Sequence, residues 1–313
     1  MAQAKDRPPI LQPVPPLPPS ETLPTMYDLP SEFPEEPGLP DEFHDLQPQL
    51  LSRTLRLTQY ALDNYFTGTD INVYYDARHP TWHKRPDWFL AVDVPRLYGG
   101  TDLRNSYVVW QESVNPLVVV EFLSPGTEAE DLGPFYNNSE VAETTPPKKW
   151  QVYEQILRVP YYIVFSRYTG ILRFFRLVGA RYEEHPVDNQ SPAQPQLWIP
   201  ELELGLGVWQ GTFDCIDHRW LRWCDRAGNW LLTDTELATQ QAEAEAQRAE
   251  IEAQRAKVEA QRAKVEAQRA NAAEAKLQQI IKNLQQTGMD ADTIAEIVDL
   301  SPEQLHDLGF LDL

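Results

Sequence analysis

A seven-residue stretch, Leu117–Leu123, constrains the fold of this chain more than any other part of the sequence. Six of its seven residues are apolar, and Pro116 and Pro125 stand close to its two ends. Proline is tolerated at the ends of central strands and not inside them, and a continuous apolar run predicts a strand buried on both faces. We therefore expect a sheet with further structure packed on both of its sides.

One member of this run, Glu121, is charged. A carboxylate inside a buried strand costs several kcal/mol unless a cation, a hydrogen-bond network or protonation compensates it. A bound metal ion is the compensation that also performs chemistry, so Glu121 is a candidate metal ligand. A structural carboxylate held by hydrogen bonds is the alternative that the residue pattern leaves open.

The segments around this run predict a mixed sheet with flanking helices. Asp87 opens the apolar run Trp88–Val92, which predicts a second buried strand, and Tyr161–Phe165 predicts a third. Apolar spacing favours helices over Gln47–Phe66 and Lys148–Leu157. Because the early strands have no helices between them, the order of elements predicts an α/β fold with a mixed sheet and not a doubly wound one.

Composition divides the chain into four regions. Residues 1–45 are rich in proline and acidic side chains, which predicts a disordered arm, and residues 46–235 carry the folded domain. Residues 236–286 contain a heptad repeat of alanine, glutamine, glutamate, lysine and arginine, which predicts a long charged helix. Large apolar residues are few in each heptad, so we expect only weak helix pairing. Residues 287–313 predict a short helical end.

The net charge of −20 argues against a protein that holds nucleic acid by general phosphate attraction, because such proteins carry a basic surface. No apolar run is long enough to span a membrane, and the N-terminal residues lead into prolines and not into an apolar signal core. We therefore predict a cytoplasmic protein that has no membrane contact.

Asp87, Glu121 and Lys149 together carry the chemistry of a phosphodiester-cleaving site. Carboxylates hold Mg²⁺ (or Mn²⁺) ions, which make an attacking water more acidic and neutralise charge on the phosphorus oxygens. A lysine beside that water orients it or stabilises developing charge. The predicted roles are metal ligands for Asp87 and Glu121, and catalytic residues for all three.

Five segments along the chain, taken in order, resemble one protein family. They are Pro86-Asp87, Val120–Thr127, Asp131, Lys149–Tyr153 and Val159–Val164. In these segments the chain resembles the Uma-two family, which is assigned to the endonucleases from its restriction-endonuclease-like PD-(D/E)XK fold.

The resemblance covers about residues 45 to 210 and implies a Mg²⁺-dependent endonuclease with DNA as its substrate. It implies that Asp87 and Glu121 are the metal-binding acids and that Asp131 is a further acid. It also favours Lys149 over Lys148 as the lysine of the site.

Two positions depart from the pattern of the wider fold. The standard motif has lysine two residues after the second acid, where this chain has Leu123. Lys149 must then act from the helix instead. The first predicted helix also lacks the glutamate that many enzymes of this fold use as another metal ligand.

A function of a different class stays open beside the nuclease hypothesis. The charge of −20, the proline-rich arm and the heptads also fit a non-catalytic assembly protein that works through its helical tail. Residues 236–313 would then bind a protein partner or a second copy of the chain. Convergence of Asp87, Glu121 and Lys149 in a cleft would favour the enzyme, whereas burial of Glu121 under tryptophans would favour the assembly protein.

Overall fold

A computed structural model describes residues 41–136, 145–187 and 197–309 of the chain. The predicted proline-rich arm lies outside these residues except for its last five positions. The chain divides into two compact units, with the first ending at Thr235 and the second beginning at Glu236.

The first unit contains twelve strands within the described residues. In chain order they are β1 (Tyr65–Gly68), β2 (Val73–Tyr74), β3 (His83–Lys84), β4 (Trp88–Val92), β5 (Tyr107–Val108), β6 (Val118–Phe122), β7 (Tyr161–Ser166), β8 (Ile171–Val178), β9 (Arg181–His185), β10 (Leu197–Ile199), β11 (Leu204–Phe213) and β12 (Ile216–Cys224). Its α-helices are α1 (Glu42–Thr54), α2 (Val109–Glu112), α3 (Glu128–Asp131) and α4 (Lys149–Gln151).

The main sheet has six strands in the order β1-β4-β6-β7-β8-β9. Strands β6 and β7 run parallel, and the other neighbours in this sheet run antiparallel. All five residues of β6 are buried, as the apolar run predicts. The expected α/β fold with a mixed sheet is therefore confirmed.

Each face of the main sheet supports its own apolar core. Val118, Val120 and Phe122 of β6 pack into one core with α1 and the β10-β11-β12 sheet, where Trp220 and Trp223 are buried. Val119 packs into the second core with the helical segment that begins at α4. Because side chains alternate along a strand, Glu121 lies on this second face, away from the tryptophan-rich side.

Helix α1 differs from its prediction at both ends, since it covers Glu42–Thr54 and not Gln47–Phe66. Asp41 caps it by accepting a hydrogen bond from the backbone N–H of His44 at 3.2 Å. Leu55 and Leu57 are buried although they follow the helix, so the apolar spacing continues where the helical backbone does not. That continuation explains the error, because burial alone does not distinguish a helix from an extended segment.

Helix α4 continues into a π-helical segment, Val152–Ile156, and the two together fill most of the predicted helix Lys148–Leu157. The backbone N–H of Leu157 bonds to the carbonyl of Val152, five residues earlier, at 2.8 Å. Such segments are rare, and they occur often at functional sites.

The described part of the second unit contains three helices: α5 (Asp234–Gln286), α6 (Ala291–Val298) and α7 (Pro302–Asp307). Helix α5 begins two residues before the unit boundary at Glu236. Helix α5 is 53 residues long, which confirms the predicted long C-terminal helix. Ile281, Ile294, Ala295 and Leu305 form a small core at its far end. Within the described ranges, no helix combines the length and the apolar character that crossing a bilayer requires.

Candidate active site

The structure brings Asp87, Glu121 and Lys149 together. Asp87 directly precedes β4, which pairs antiparallel with β6 so that Trp88 lies opposite Val120. Residues 87 and 121 are consequently neighbours across the two strands. The backbone N–H of Asp87 lies 3.4 Å from Glu121 Oε2, and Lys149 Nζ on α4 lies 2.8 Å from the same oxygen.

Glu121 is fully buried and is compensated on both of its carboxylate oxygens. Oε2 is paired with the Lys149 ammonium, and Oε1 accepts a hydrogen bond from the hydroxyl of Tyr153 at 2.7 Å. The π-helical segment supplies Tyr153, four residues after Lys149, so consecutive turns of one helical stretch hold the two donors.

Asp131, the last residue of α3, joins the same group as a third carboxylate. It is buried, and its Oδ1 atom lies 3.5 Å from Lys149 Nζ. That oxygen has no hydrogen-bond partner among the residues that the structure describes. Three carboxylates therefore surround one lysine, which leaves the group with an excess of negative charge.

The charges in this group shift the protonation equilibria of its members. Burial raises the pKa of Glu121 well above its ordinary value, Lys149 opposes that rise, and Asp87 and Asp131 add to it. Burial lowers the pKa of Lys149, but the three neighbouring carboxylates overcome this effect and raise it well above its ordinary value. Lys149 is therefore a firmly protonated ammonium.

A cavity of about 400 Å³ opens beside the group. Asp87, Asp131 and Lys149 line it, together with His44 and Arg85. Glu121 is buried and contacts Lys149, which is part of the cavity wall. The cavity gives a ligand access to two carboxylates and to the lysine from solvent.

His44 is a residue of this cavity that the sequence did not reveal. Its Nδ1 lies 2.8 Å from Asp41 Oδ1, and its Nε2 lies 3.3 Å from the carbonyl oxygen of Phe122 and 3.2 Å from Ser124 Oγ. Burial lowers the pKa of His44, but the bond to Asp41 and the charges of Asp87 and Asp41 raise it overall. The sequence signal at this position is an aspartate, Asp41, that can cap the start of a helix. The contact of His44 with Phe122 of β6 joins residues that are far apart in the chain, so the local sequence does not predict it.

The observed first helix contains a glutamate that the predicted helix Gln47–Phe66 lacks, because α1 starts at Glu42. Glu42 is exposed, and the helix presents His44 and Asp45 to the cavity. Leu123 lies two residues beyond Glu121, at the end of β6, and packs partly buried against the second core. Lys149 thus provides the ammonium on the sheet face where the standard motif would have it at position 123.

The residues present fit a hard divalent cation. Asp87 and Asp131 lie at the cavity wall next to the buried Glu121, and an oxygen of Asp131 lacks a hydrogen-bond partner among the described residues. Within residues 41–136, 145–187 and 197–309, no group of three or more His, Cys, Asp and Glu side chains is arranged so that it could hold a metal ion, so a cation here would have at most two such ligands. Mg²⁺ in proteins often has only one or two carboxylate ligands and keeps several waters, so this donor set suits it.

Comparisons with known proteins bear on the same region. A sequence model of the Uma2 family, described as "Putative restriction endonuclease", matches residues 17–210. No curated protein matches the chain. The chain is similar to a crystal structure from Anabaena variabilis ATCC 29413, titled "a putative nuclease belonging to DUF820", with 13% identity over 54% of this chain and 80% of that chain and a TM-score of 0.36. The family match spans more than half of this chain, and the chain therefore belongs to the Uma2 family of restriction-endonuclease-like proteins.

Proposed function

We propose that this protein is a Mg²⁺- or Mn²⁺-dependent endonuclease that hydrolyses phosphodiester bonds in DNA. The observation that carries the proposal is the 2.8 Å contact between Lys149 Nζ and Glu121 Oε2, next to Asp87 at the wall of an open cavity. Two acids on adjacent strands and a lysine on the helix that packs against them supply the parts that metal-assisted hydrolysis requires.

Asp87 and Glu121 would hold the cation. A bound divalent cation makes a coordinated water more acidic and neutralises charge that develops on the phosphate oxygens. Tyr153 fixes the Glu121 carboxylate through a hydrogen bond at 2.7 Å, and the Phe122 N–H fixes that of Asp87 through a bond of 2.5 Å to Oδ2. Both acids are therefore held in place before any ligand arrives.

Lys149 acts as a charged donor and not as a base. Its pKa is raised because Glu121, Asp131 and Asp87 outweigh the effect of burial, so it holds its proton at neutral pH. An ammonium at this position can orient the attacking water and stabilise the negative charge of the transition state. Asp131, 3.5 Å away, helps to keep that charge on the lysine.

The test is cleavage of supercoiled plasmid and of labelled oligonucleotides with Mg²⁺, with Mn²⁺ and with a chelator. We expect cleavage only with metal, and a loss of at least about 100-fold in Asp87→Asn and Glu121→Gln. Asp93→Asn is the matched control, because Asp93 is exposed and has a positive φ that asparagine also adopts readily. Unchanged cleavage in Asp87→Asn and Glu121→Gln would refute the proposal.

For residues 236–313 we propose a separate role in binding a protein partner or a second copy of the chain. Ile251, Val258 and Val265 recur every seven residues along α5 and leave a stripe of half-exposed apolar side chains. Analytical ultracentrifugation of the full chain and of a variant with glutamate at all three positions tests this role. A monomer in both cases, with no partner retained by residues 236–313, would argue against it.

We also propose a cytoplasmic location for the protein.

A further inference from the structure

A second pocket, of about 380 Å³, lies beside the active-site cavity. Ser124 lines both, so the two share a wall at the end of β6. The second pocket is mainly apolar, whereas carboxylates and a lysine surround the first. The proposed nuclease function gives no role to this pocket.

Strand register fixes the position of the pocket relative to Glu121. Glu121 on β6 lies opposite Val164 on β7, which in turn lies opposite Arg173 on β8. Val164 and Arg173 both line the pocket. Neighbouring strands are about 4.8 Å apart, so the backbone of Val164 lies about 5 Å from that of Glu121 and the backbone of Arg173 lies about 10 Å from it. All three side chains are on the same face of the sheet.

The lining of this pocket suits a flat, mainly apolar ring. Leu123, Leu132 and Val164 contribute aliphatic surface, and Tyr168 and Ile171 on the turn and strand that follow β7 are large apolar residues with substantial exposure. Arg167 lies over one face of the Tyr168 ring, with 4.6 Å between its Cζ atom and the ring centroid, so a base would stack on the opposite face. A nucleobase has the matching shape, since its faces stack on aromatic and aliphatic side chains.

Arg173 adds a second planar group to the pocket. Its guanidinium makes two hydrogen bonds of 2.7 Å to the carboxylate of Glu184, which fix its plane. It also lies over the ring of Phe175, with 5.2 Å between its Cζ atom and the ring centroid. Bases that leave a stack are commonly bound by guanidinium planes held in this way.

Leu123 connects the pocket to the departure from the standard motif. The wider fold has lysine at this position, but in this chain Lys149 brings an ammonium to Glu121 from the helix. Position 123 is thereby free to be apolar, and it lines the second pocket. The position of the lysine on the helix therefore allows an apolar residue at position 123, and that residue lines the second pocket.

The charge of the chain favours a ligand that is bound by burial. At −20, the protein gains little from general attraction to the phosphates of a duplex, which depends on basic surface. Stacking and burial of a base supply affinity that needs no such surface. Extruding a base is least costly when that base is already unpaired or single-stranded.

We infer that the apolar pocket binds an unstacked nucleobase of the substrate strand next to the bond that is cut, and that the substrate is single-stranded or locally unpaired DNA. This inference rests on the proposed nuclease function. Val164 and Leu123 form the floor of the base site, and Tyr168 stacks on the base.

Fluorescence anisotropy of the full-length Glu121→Gln protein in Mg²⁺ tests the inference without cleavage. The probes are a labelled single-stranded oligonucleotide, the same strand with abasic positions, and a blunt duplex of equal length. We expect the intact single strand to bind at least about tenfold more tightly than the abasic strand or the duplex. Tyr168→Ala should lose about tenfold in affinity for the intact strand and should leave binding of the abasic strand unchanged.

Tyr98→Ala is the matched control, because Tyr98 is also an exposed tyrosine, with 42% exposure against 56% for Tyr168, and does not line either cavity. It should bind the intact strand like the parent protein. The abasic probe needs no additional substitution, so a folding defect in Tyr168→Ala cannot decide the result.

Equal binding of intact and abasic strands, tighter binding of the duplex, or no binding of any probe would overturn the base pocket. If another part of this chain covers the pocket, Tyr168→Ala should bind the intact strand with the same affinity as the parent. That result would also overturn the base pocket. The nuclease proposal is judged separately, by metal-dependent plasmid cleavage that Asp87→Asn abolishes. Failure of the base pocket can therefore be distinguished from failure of the nuclease proposal.

Discussion

At the residue scale, the proposed chemistry depends on one lysine, Lys149. Side chains of residues 121 and 123 point to the same face of a strand, so a lysine at 123 would reach the same carboxylates that Lys149 now reaches from α4. The ammonium is thus kept in place while its position in the sequence changes. What the chemistry requires is the location of the charge, and a helix end can supply it as well as a strand can.

We predict that Lys149→Ala lowers the rate of DNA cleavage by about 10²–10³-fold, because it removes a preorganised donor at the developing charge. The double variant Lys149→Ala/Leu123→Lys should regain part of that loss. Lys148→Ala is the control, since its Nζ contacts the Ala129 carbonyl at 3.5 Å and not the acids, and it should stay within a few-fold of the parent. Full activity of Lys149→Ala in single-turnover assays would contradict the role of Lys149.

The raised pKa of Glu121 predicts a dependence of stability on pH. A carboxyl whose folded-state pKa lies above its unfolded value contributes fully below the ordinary value of 4.5, and this contribution is lost as pH rises through the folded-state pKa. Glutamine does not ionise, so the stability of Glu121→Gln relative to the parent should increase with pH. Urea unfolding with chelator present, at about pH 5 and about pH 8, measures the difference. A difference that does not change with pH would show that Glu121 ionises freely.

Some residues of the candidate site could be predicted from sequence, and others could not. Asp87, Glu121 and Lys149 were found because a charge in an apolar run is costly and because their motifs resemble a family. The place of His44 depends on contacts with Phe122 and Ser124, about eighty positions away in the chain. Local spacing contains no information about such contacts.

At the scale of elements, α4 and the π-helical segment that follows it organise the second core face around the acids. Lys149 and Tyr153 both reach Glu121, and Tyr162 on β7 bonds through its hydroxyl to the carbonyl of Asp131 at 2.9 Å. The side chains of one helical stretch and one strand therefore support the acids from behind. Rigid support of this kind keeps a site close to its working geometry.

We predict that, at a pH at which Glu121 is ionised, Tyr153→Phe lowers the free energy of unfolding by about 2 kcal/mol, because it then removes a hydrogen bond to a buried charged group. Tyr182→Phe is the matched comparison. Tyr182 is also buried, but its hydroxyl bonds to the neutral carbonyl of Val159 at 2.9 Å, so a loss of about 1 kcal/mol is expected. Urea denaturation of the three proteins measures both values. Equal losses would indicate that the charge on Glu121 does not strengthen the bond.

Strands were easier to predict than helix boundaries. The apolar run Trp88–Val92 became β4 with the same bounds, since a buried strand leaves a continuous apolar signal. Helix α1 ends at Thr54, yet Leu55 and Leu57 remain buried, so the apolar signal continues past its end. The switch from α-helix to π-helix after Gln151 has no sequence signal of this kind, because it depends on how the segment packs.

At the scale of the whole molecule, the two units differ in how they are built. The first has two cores around a six-stranded sheet, whereas α5 in the second is almost entirely exposed along its length. A long helix of alanine, glutamine and charged residues forms by its own propensity and needs little packing. We propose that the unit that ends at Thr235 contains the whole catalytic apparatus.

A protein truncated after Thr235 should therefore fold and retain metal-dependent cleavage within a few-fold of the full chain. Circular dichroism should show a loss of helix signal and little change in the melting of the sheet. Loss of cleavage in a fragment that melts normally would mean that the helical unit takes part in catalysis.

Calorimetric titration with Mn²⁺ tests whether Asp87 and Glu121 hold a divalent cation beside Lys149, and it needs no knowledge of the DNA substrate. We predict saturable binding to the full chain and loss of that binding in both Asp87→Asn and Glu121→Gln. Lys148→Ala should bind Mn²⁺ as the parent does. Absence of binding to the parent, or equal binding by the parent and Asp87→Asn, would show that these acids do not hold a cation.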